Sequence, residues 1–239
     1  MIYMIGDTHG EDTFFKMGNS YIKKLGLDVP TKDDTLFHVG DLGYIWDQED
    51  NIKAPEKYLK DWTSKKPWKI LTAGGNHENW ERVLKLPLVP APWPGSSPVY
   101  KYTDNIFYAI RGGLYRVENK TFFFMGGATS TDISYRKEGL SWWPEEIPSL
   151  KEFDDGVSIL DSVNMEVDYV VTHTFPWEVI QLLGFYNYTT CPVSAYLNQL
   201  LRFGIKFKEW YGGHFHIDKT VDSPYGKFTC LYDNVKIIK

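Results

Sequence analysis

Cysteine is scarce: Cys191 and Cys230 are the only two in 239 residues, and they lack the C-x-x-C spacing of a redox or zinc site. Both are expected to be packed thiols without a chemical role. Long apolar runs are also missing, since no stretch reaches the roughly 18 residues of a membrane span. The opening MIYMIGDTHG passes from a short apolar segment straight into charged and turn residues, without a basic n-region or cleavage site. A soluble cytoplasmic protein is the expectation. Basic residues are in the minority, with 26 Lys and Arg against 31 Asp and Glu and a net charge of -5. That balance argues against a general grip on nucleic acid or another polyanion. There is no internal repeat and no low-complexity tract.

Hydrophobic residues, at 43%, are enough for a substantial core, and one domain spanning 1–239 is the expectation. Apolar runs recur with one kind of ending. IYMIGD (2–7), TLFHVGD (35–41), KILTAGGN (69–76), FFFMGGA (122–128), YVVTH (169–173) and WYGGH (210–214) all stop at glycine or polar residues. Each reads as a buried strand that delivers its last residues to a loop. Between them lie helical signals at 12–25, with Asp12 or Thr13 as N-cap, and at 55–64, 77–85, 176–183 and 193–202. Strand and helix in alternation imply parallel pairing in an α/β fold. In the middle, NIFYAIRGGLYRVENKTFFFMGG is rich in strands, with ENKT as a hairpin turn, so part of the sheet is antiparallel. The Pro-rich LPLVPAPWPGSSP (86–98) reads as an extended surface loop inserted within the domain.

The strand ends carry the chemistry. GDTH (6–9), GD (40–41), GGNHE (74–78), THT (172–174) and GGHFH (212–216) hold five of the six histidines. Loops beyond the carboxyl ends of strands are where α/β folds assemble sites, so these groups can share one crevice. If YGGHFHID continues as a strand, His214 and His216 lie on one face and converge on one point. Carboxylates, imidazoles and a side-chain amide without thiolate suit Mn²⁺, Zn²⁺ or iron. The candidate ligands are Asp7, His9, Asp41, Asn76, His173, His214 and His216. They are too many for one tetrahedral ion and suit two ions that share a carboxylate.

In order and in residue type, these elements resemble the calcineurin-like metallophosphoesterase pattern: D-x-H, G-D-x-x-D, G-N-H-[E/D], a lone His and G-H-x-H, here over residues 6–216. The resemblance implies two facing mixed β-sheets flanked by helices, an αββα sandwich. It further implies that Asp7, His9 and His216 bind one divalent metal ion, and that Asn76, His173 and His214 bind a second. Asp41 would bridge the two, and His77 would assist at the phosphate and leaving-group oxygens without ligating. The implied activity is hydrolysis of a phosphoester by metal-activated hydroxide, with manganese the first candidate and iron, zinc or nickel the others. One departure stands out: after the bridging Asp the chain reads Leu42-Gly43-Tyr44-Ile45, without the second Asp and the Arg of the protein-phosphatase branch. Asp47 is a weak substitute for the former. A small or nucleotide-like phosphodiester is therefore favoured over a phosphomonoester of a nucleotide or phosphoprotein. A non-catalytic metal-bound scaffold for other proteins is the remaining alternative.

Other readings compete at single positions. His38, among apolar neighbours, is expected to be a buried, hydrogen-bonded histidine and not an eighth ligand. Alone, Asp7 and Asp41 would be turn residues after strands, and Asn76 with His77 fits a helix N-cap and first turn, which is compatible with ligation. Residues 126–148 leave a strand at Gly-Gly, near the same rim. Asp132, Arg136, Trp142 and Trp143 are its candidates for substrate recognition, Arg136 as the phosphate partner, against a loop ordered by its own contacts.

Overall fold

The structure, a computed structural model, describes residues 1–188 and 191–239. Its strands are β1 (Ile2–Ile5), β2 (Thr35–His38), β3 (Lys69–Thr72), β4 (Leu88–Val89), β5 (Val99–Lys101), β6 (Ile106–Ala109) and β7 (Gly113–Val117). Then come β8 (Lys120–Met125), β9 (Tyr169–Thr172), β10 (Glu209–Gly212), β11 (Lys219–Ser223), β12 (Gly226–Cys230) and β13 (Val235–Ile238). They form two sheets, ordered β13-β1-β2-β3-β6-β5-β4 and β11-β12-β10-β9-β8-β7. The centre of each is parallel: β1, β2, β3 and β6 in one, β8, β9, β10 and β12 in the other. Antiparallel strands complete the edges, among them β13 against β1.

Because the central strands are covered on both faces, they need no polar alternation, which is why their sequences are continuous apolar runs. In β1, Ile2 and Met4 enter a core shared with Phe37, Phe122, Phe124, Val171 and Tyr211, that is, with both sheets. Tyr3 and Ile5 point the other way, into a layer with Ile22, Leu59, Trp80 and Val83. These belong to helices α1 (Asn19–Lys24), α2 (Ala54–Ser64) and α3 (Trp80–Val83). Behind the second sheet, α4 (Leu150–Ser162), α5 (Trp177–Leu183) and α6 (Pro192–Arg202) pack on Phe123, Val170, Trp210 and Phe228. The result is the expected order of helix, sheet, sheet and helix layers. Among the described residues no helix is long and apolar enough to cross a membrane.

Several local expectations are corrected. The single helix over 12–25 is a 3-10 turn, Phe14–Met17, followed by α1, because Gly18 between them is extended (φ -88, ψ 149). Thr13 does not cap it by its side chain; the hydroxyl donates to the Thr8 carbonyl instead. The helix placed at 77–85 is only Trp80–Val83, capped by Asn79, whose Oδ1 accepts from the Arg82 amide at 3.1 Å. Asn76 and His77 therefore lie in the loop before it and cap nothing. Helix α4 is an addition to the expected set. The Pro-rich segment is less superficial than a surface loop, because β4 pairs with β5 and Trp93 is buried in the intersheet core. The ENKT turn is present, with Glu118 and Asn119 both at positive φ (50 and 60), as a two-residue hairpin of this hand requires. Both cysteines are buried and unpaired.

Candidate metal centre

Each group of the site lies just past the carboxyl end of a parallel strand. Asp7 and His9 follow β1, Asp41 follows β2, and Asn76 and His77 follow β3; His173 follows β9, and His214 and His216 follow β10. The structure brings all of them to one rim between the sheets. His9 Nε2 and His216 Nε2 are 2.8 Å apart, with Asp7 Oδ2 3.5 Å from the latter. On the other side, Asp41 Oδ1 is 3.2 Å from His173 Nε2, which is 3.1 Å from Asn76 Oδ1. Among the described residues, three sets of side chains have potential ligand atoms within 4.8 Å of one another: Asp7, His9 and His216; His9, Asp41 and His77; and Asp41, His173 and His214.

The histidines of the GGHFH stretch converge differently from the strand expectation. Strand β10 stops at Gly212, and both His214 (φ 69) and His216 (φ 50) adopt the left-handed conformation. Alternation therefore does not align them, and they join different groups: His216 sits with Asp7 and His9, His214 with Asp41 and His173. His9 (φ 46) and Asp41 (φ 54) share this backbone state, so four of the eight non-glycine residues with positive φ among the described residues are here. Such strain persists where surrounding contacts over-determine it. The contacts are visible: the Asp41 carboxylate accepts the His77 amide at 2.8 Å, and the Asp7 carboxylate accepts the His214 amide at 2.8 Å.

The donor set fits divalent cations. Asp7 Oδ1 is buried without a hydrogen-bond partner among the described residues, an arrangement that a cation would complete. A glycine backs each carboxylate: a Cβ on Gly213 would lie 2.0 Å from Asp7 Oδ1, and one on Gly75 2.0 Å from Asp41 Oδ1. Burial holds His9 down to about 4 and His214 to about 3, so both are neutral imidazoles with a free lone pair. Burial also pushes Asp7 up to about 7, with the Asp41 charge acting in the same direction and His173 opposing. For Asp41, burial is outweighed by the His173 and His77 imidazoles, which keep it ionised. Burial disfavours the charged His173 ring, yet the Asp41 charge and hydrogen bond prevail and raise it to about 9. A cation entering here would replace that proton.

Some supporting residues have no motif to reveal them. Asn76 Nδ2 donates to Ser130 Oγ at 3.3 Å, and buried Glu146 accepts both the Ser130 amide and hydroxyl at 2.7 Å, which turns Asn76 Oδ1 toward the centre. Lys16, buried, donates to the carbonyls of Asp7 (3.3 Å) and Tyr232 (2.9 Å), and its Nζ lies 3.6 Å over the Tyr232 ring. That ring stacks on His216 at 4.6 Å. The Tyr188 hydroxyl is 2.9 Å from His214 Nε2. Contacts between residues up to 216 positions apart leave no local pattern.

His38 is buried, held by Thr8 at 3.2 Å, and outside the three groups, as expected. Asp47 accepts the Lys53 amide at 2.8 Å and has no hydrogen bond to His77. Arg136 does reach the rim: its Nη2 is 2.9 Å from His77 Nε2 and its Nε 2.6 Å from Asp132 Oδ1. Trp143 does not; it is buried in the outer layer, edge-on to Trp46, which stacks on His77. Beside His9 and His77 opens a cleft of ≈ 320 Å³, bordered by Trp46 and by Glu11, Asp12, Asp47, Lys53 and Glu56.

A family model, calcineurin-like phosphoesterase, matches residues 1–218, and the chain belongs to that family. It is a metal-dependent phosphoester hydrolase by class. No curated protein matches it. Among solved structures it resembles GAP50, the anchor in the inner membrane complex of Plasmodium, at 13% identity and a TM-score of 0.53 over 97% of this chain and 70% of that one. A candidate 5'-nucleotidase from Staphylococcus aureus, solved with alpha-ketoglutarate, is 14% identical with a TM-score of 0.50. That match covers 98% of this chain and 49% of the other. Phosphopantetheinyl hydrolase from Mycobacterium tuberculosis is 14% identical over 97% and 89%, with a TM-score of 0.49. At these identities the likeness is one of fold.

Proposed function

We propose that this protein hydrolyses a small or nucleotide-like phosphodiester with two divalent cations held around Asp41. The observation that supports this best is that the two Asp41 oxygens face different ligands, Oδ2 lying 3.7 Å from His9 Nε2 and Oδ1 3.2 Å from His173 Nε2, as a bridging carboxylate requires. Asp7, His9 and His216 would hold one cation, and Asn76 through Oδ1, His173 and His214 the other. His77 stays outside both sets, since the Arg136 guanidinium against its Nε2 repels a cation there. When bound, the cations supply the Lewis acidity that polarises a phosphoryl group and acidifies water for in-line attack. Asp7 and Asp41 supply the negative charge that holds them, and the hydrogen bond from the His77 amide to the Asp41 carboxylate fixes the loop beside the cleft. Manganese is the first candidate, ahead of iron, zinc and nickel, given oxygen and imidazole donors without thiolate. The two sheets share the site, which supports residues 1–239 acting as one domain. The unpaired thiols fit a reducing compartment such as the cytoplasm.

The preference for a diester is supported by the charges lining the cleft, four acids against Lys53, which disfavour further phosphates on the substrate. Arg136 favours the second reading, a phosphomonoester, because a guanidinium suits a dianion. Initial rates on bis(p-nitrophenyl) phosphate and p-nitrophenyl phosphate, after loading with Mn²⁺ or Zn²⁺, separate the two. Diester turnover that Asp41→Asn abolishes is the expected result. Monoester preference would select the second reading, and failure to bind two cations would remove the proposal altogether.

A further inference from the structure

We infer that Arg136 is the side chain that grips the phosphoryl group, and that His77 is its hydrogen-bonding support and not the proton donor through Nε2. The inference rests on the hydrolytic reading of the site. A guanidinium has five N–H donors and no acceptor, so the 2.9 Å contact between Arg136 Nη2 and His77 Nε2 has a single polarity: arginine donates and the ring nitrogen accepts. A ring nitrogen that accepts this bond has no proton to give to a departing oxygen.

The rest of the guanidinium is equally fixed. Nε donates to Asp132 at 2.6 Å and Nη1 to the Ser141 carbonyl at 3.0 Å, and the group lies 6.0 Å over the Trp46 ring, which itself stacks on His77. Those three bonds leave one N–H on each terminal nitrogen without a protein acceptor among the described residues. One free donor on each terminal nitrogen of a planar cation at the edge of a phosphoester centre suits phosphoryl oxygens.

Tyr44, where the pattern carries its second Asp, is buried, and its hydroxyl accepts from Thr63 Oγ1 at 2.9 Å, so it brings nothing to His77. The partner His77 does have is Arg136, from a loop that leaves β8 and is itself tied down by the bond between Ser130 and Asn76. With a guanidinium donating to its Nε2, the task left to His77 is to hold the clamp. Turnover should then depend steeply on how readily the leaving oxygen departs without a proton.

The test uses the full chain loaded with Mn²⁺. Calorimetric titration with inorganic phosphate is run on wild type, Arg136→Ala, Arg136→Lys, His77→Asn and the double variant Arg136→Ala/His77→Asn. Turnover is followed on aryl phosphodiesters with p-nitrophenyl, p-chlorophenyl and phenyl leaving groups. Arg136→Ala is expected to weaken phosphate about tenfold or more, with added guanidinium restoring part of it and Arg136→Lys falling between. His77→Asn should weaken phosphate in the same direction, add little in the double variant, and slow all three aryl substrates by one factor. Unchanged phosphate affinity in Arg136→Ala would overturn the inference. So would a His77→Asn variant with normal phosphate affinity whose defect grows from p-nitrophenyl to phenyl, the signature of a lost proton donor. Wild type that binds two cations but no phosphate also overturns it, whereas wild type that binds no cations defeats the hydrolytic reading beneath it.

Discussion

Asp7 is held in a setting that favours its neutral form until a cation arrives. Its folded value of about 7 lies above the roughly 3.9 of an unfolded chain. A raised folded value stabilises fully below the unfolded one, and the contribution is lost as pH rises through the folded one. In chelated protein, Asp7→Asn is therefore expected to raise the melting temperature at pH 8 and to change little near pH 4, whereas in Mn²⁺-loaded protein it should lower it. Scanning calorimetry in both states checks this; an equal loss at pH 8 with and without metal would show that Asp7 is structural only. At this scale the sequence was informative, because Asp7, His9, Asp41, Asn76, His173, His214 and His216 stand at short fixed distances from strand ends. Arg136 was legible as a loop cation near the rim and a candidate phosphate partner, but not as a partner of His77. Its bond to His77 depends on how residues 126–148 fold over the site, and no spacing carries that.

Elements were legible where periodicity and punctuation agree, and obscured where a single residue overrides the pattern. Gly18 divides an apolar stripe that otherwise reads as one helix, and Asn79 moves the start of α3 past the two residues that its sequence context offered as a cap. Helix α4 did carry a signal, S-L-K-E at 149–152, the spacing of a reciprocal capping box in which Ser149 accepts the Glu152 amide at 3.3 Å and Glu152 the Ser149 amide at 2.7 Å. Glu152 also takes Arg111 Nε at 2.8 Å, which ties the helix to the crossing between the sheets. Ser149→Ala should cost about 1 kcal/mol, seen as a lower urea midpoint with an unchanged kcat. No change in midpoint would mean that packing alone sets this helix start.

Over the whole molecule, the site is divided between two sheets: Asp7, His9, Asp41, Asn76 and His77 come from one, and His173, His214, His216 and Arg136 from the other. Cations bound between them would clamp the layers together. At a hundred times the dissociation constant, one such site adds about 2.7 kcal/mol. Loading with Mn²⁺ should therefore raise the melting temperature and slow hydrogen exchange at the carboxyl ends of β1 and β10, and chelation should reverse both; equal melting curves would argue against the clamp. The α/β class followed from alternating strands and helices, and the layer order from the family resemblance, but which strands neighbour one another did not follow, because β12 and β13 return from the end of the chain to positions that local sequence cannot announce. Those two strands lie beyond residue 218, where the family match stops. They cover the outer hydrogen-bonding edges of β10 and β1, the strands that deliver His214, His216, Asp7 and His9. A chain cut at the family boundary would keep every proposed ligand and yet expose two apolar edges open to pairing with other chains, so the boundary of the chemistry and the boundary of solubility fall at different residues.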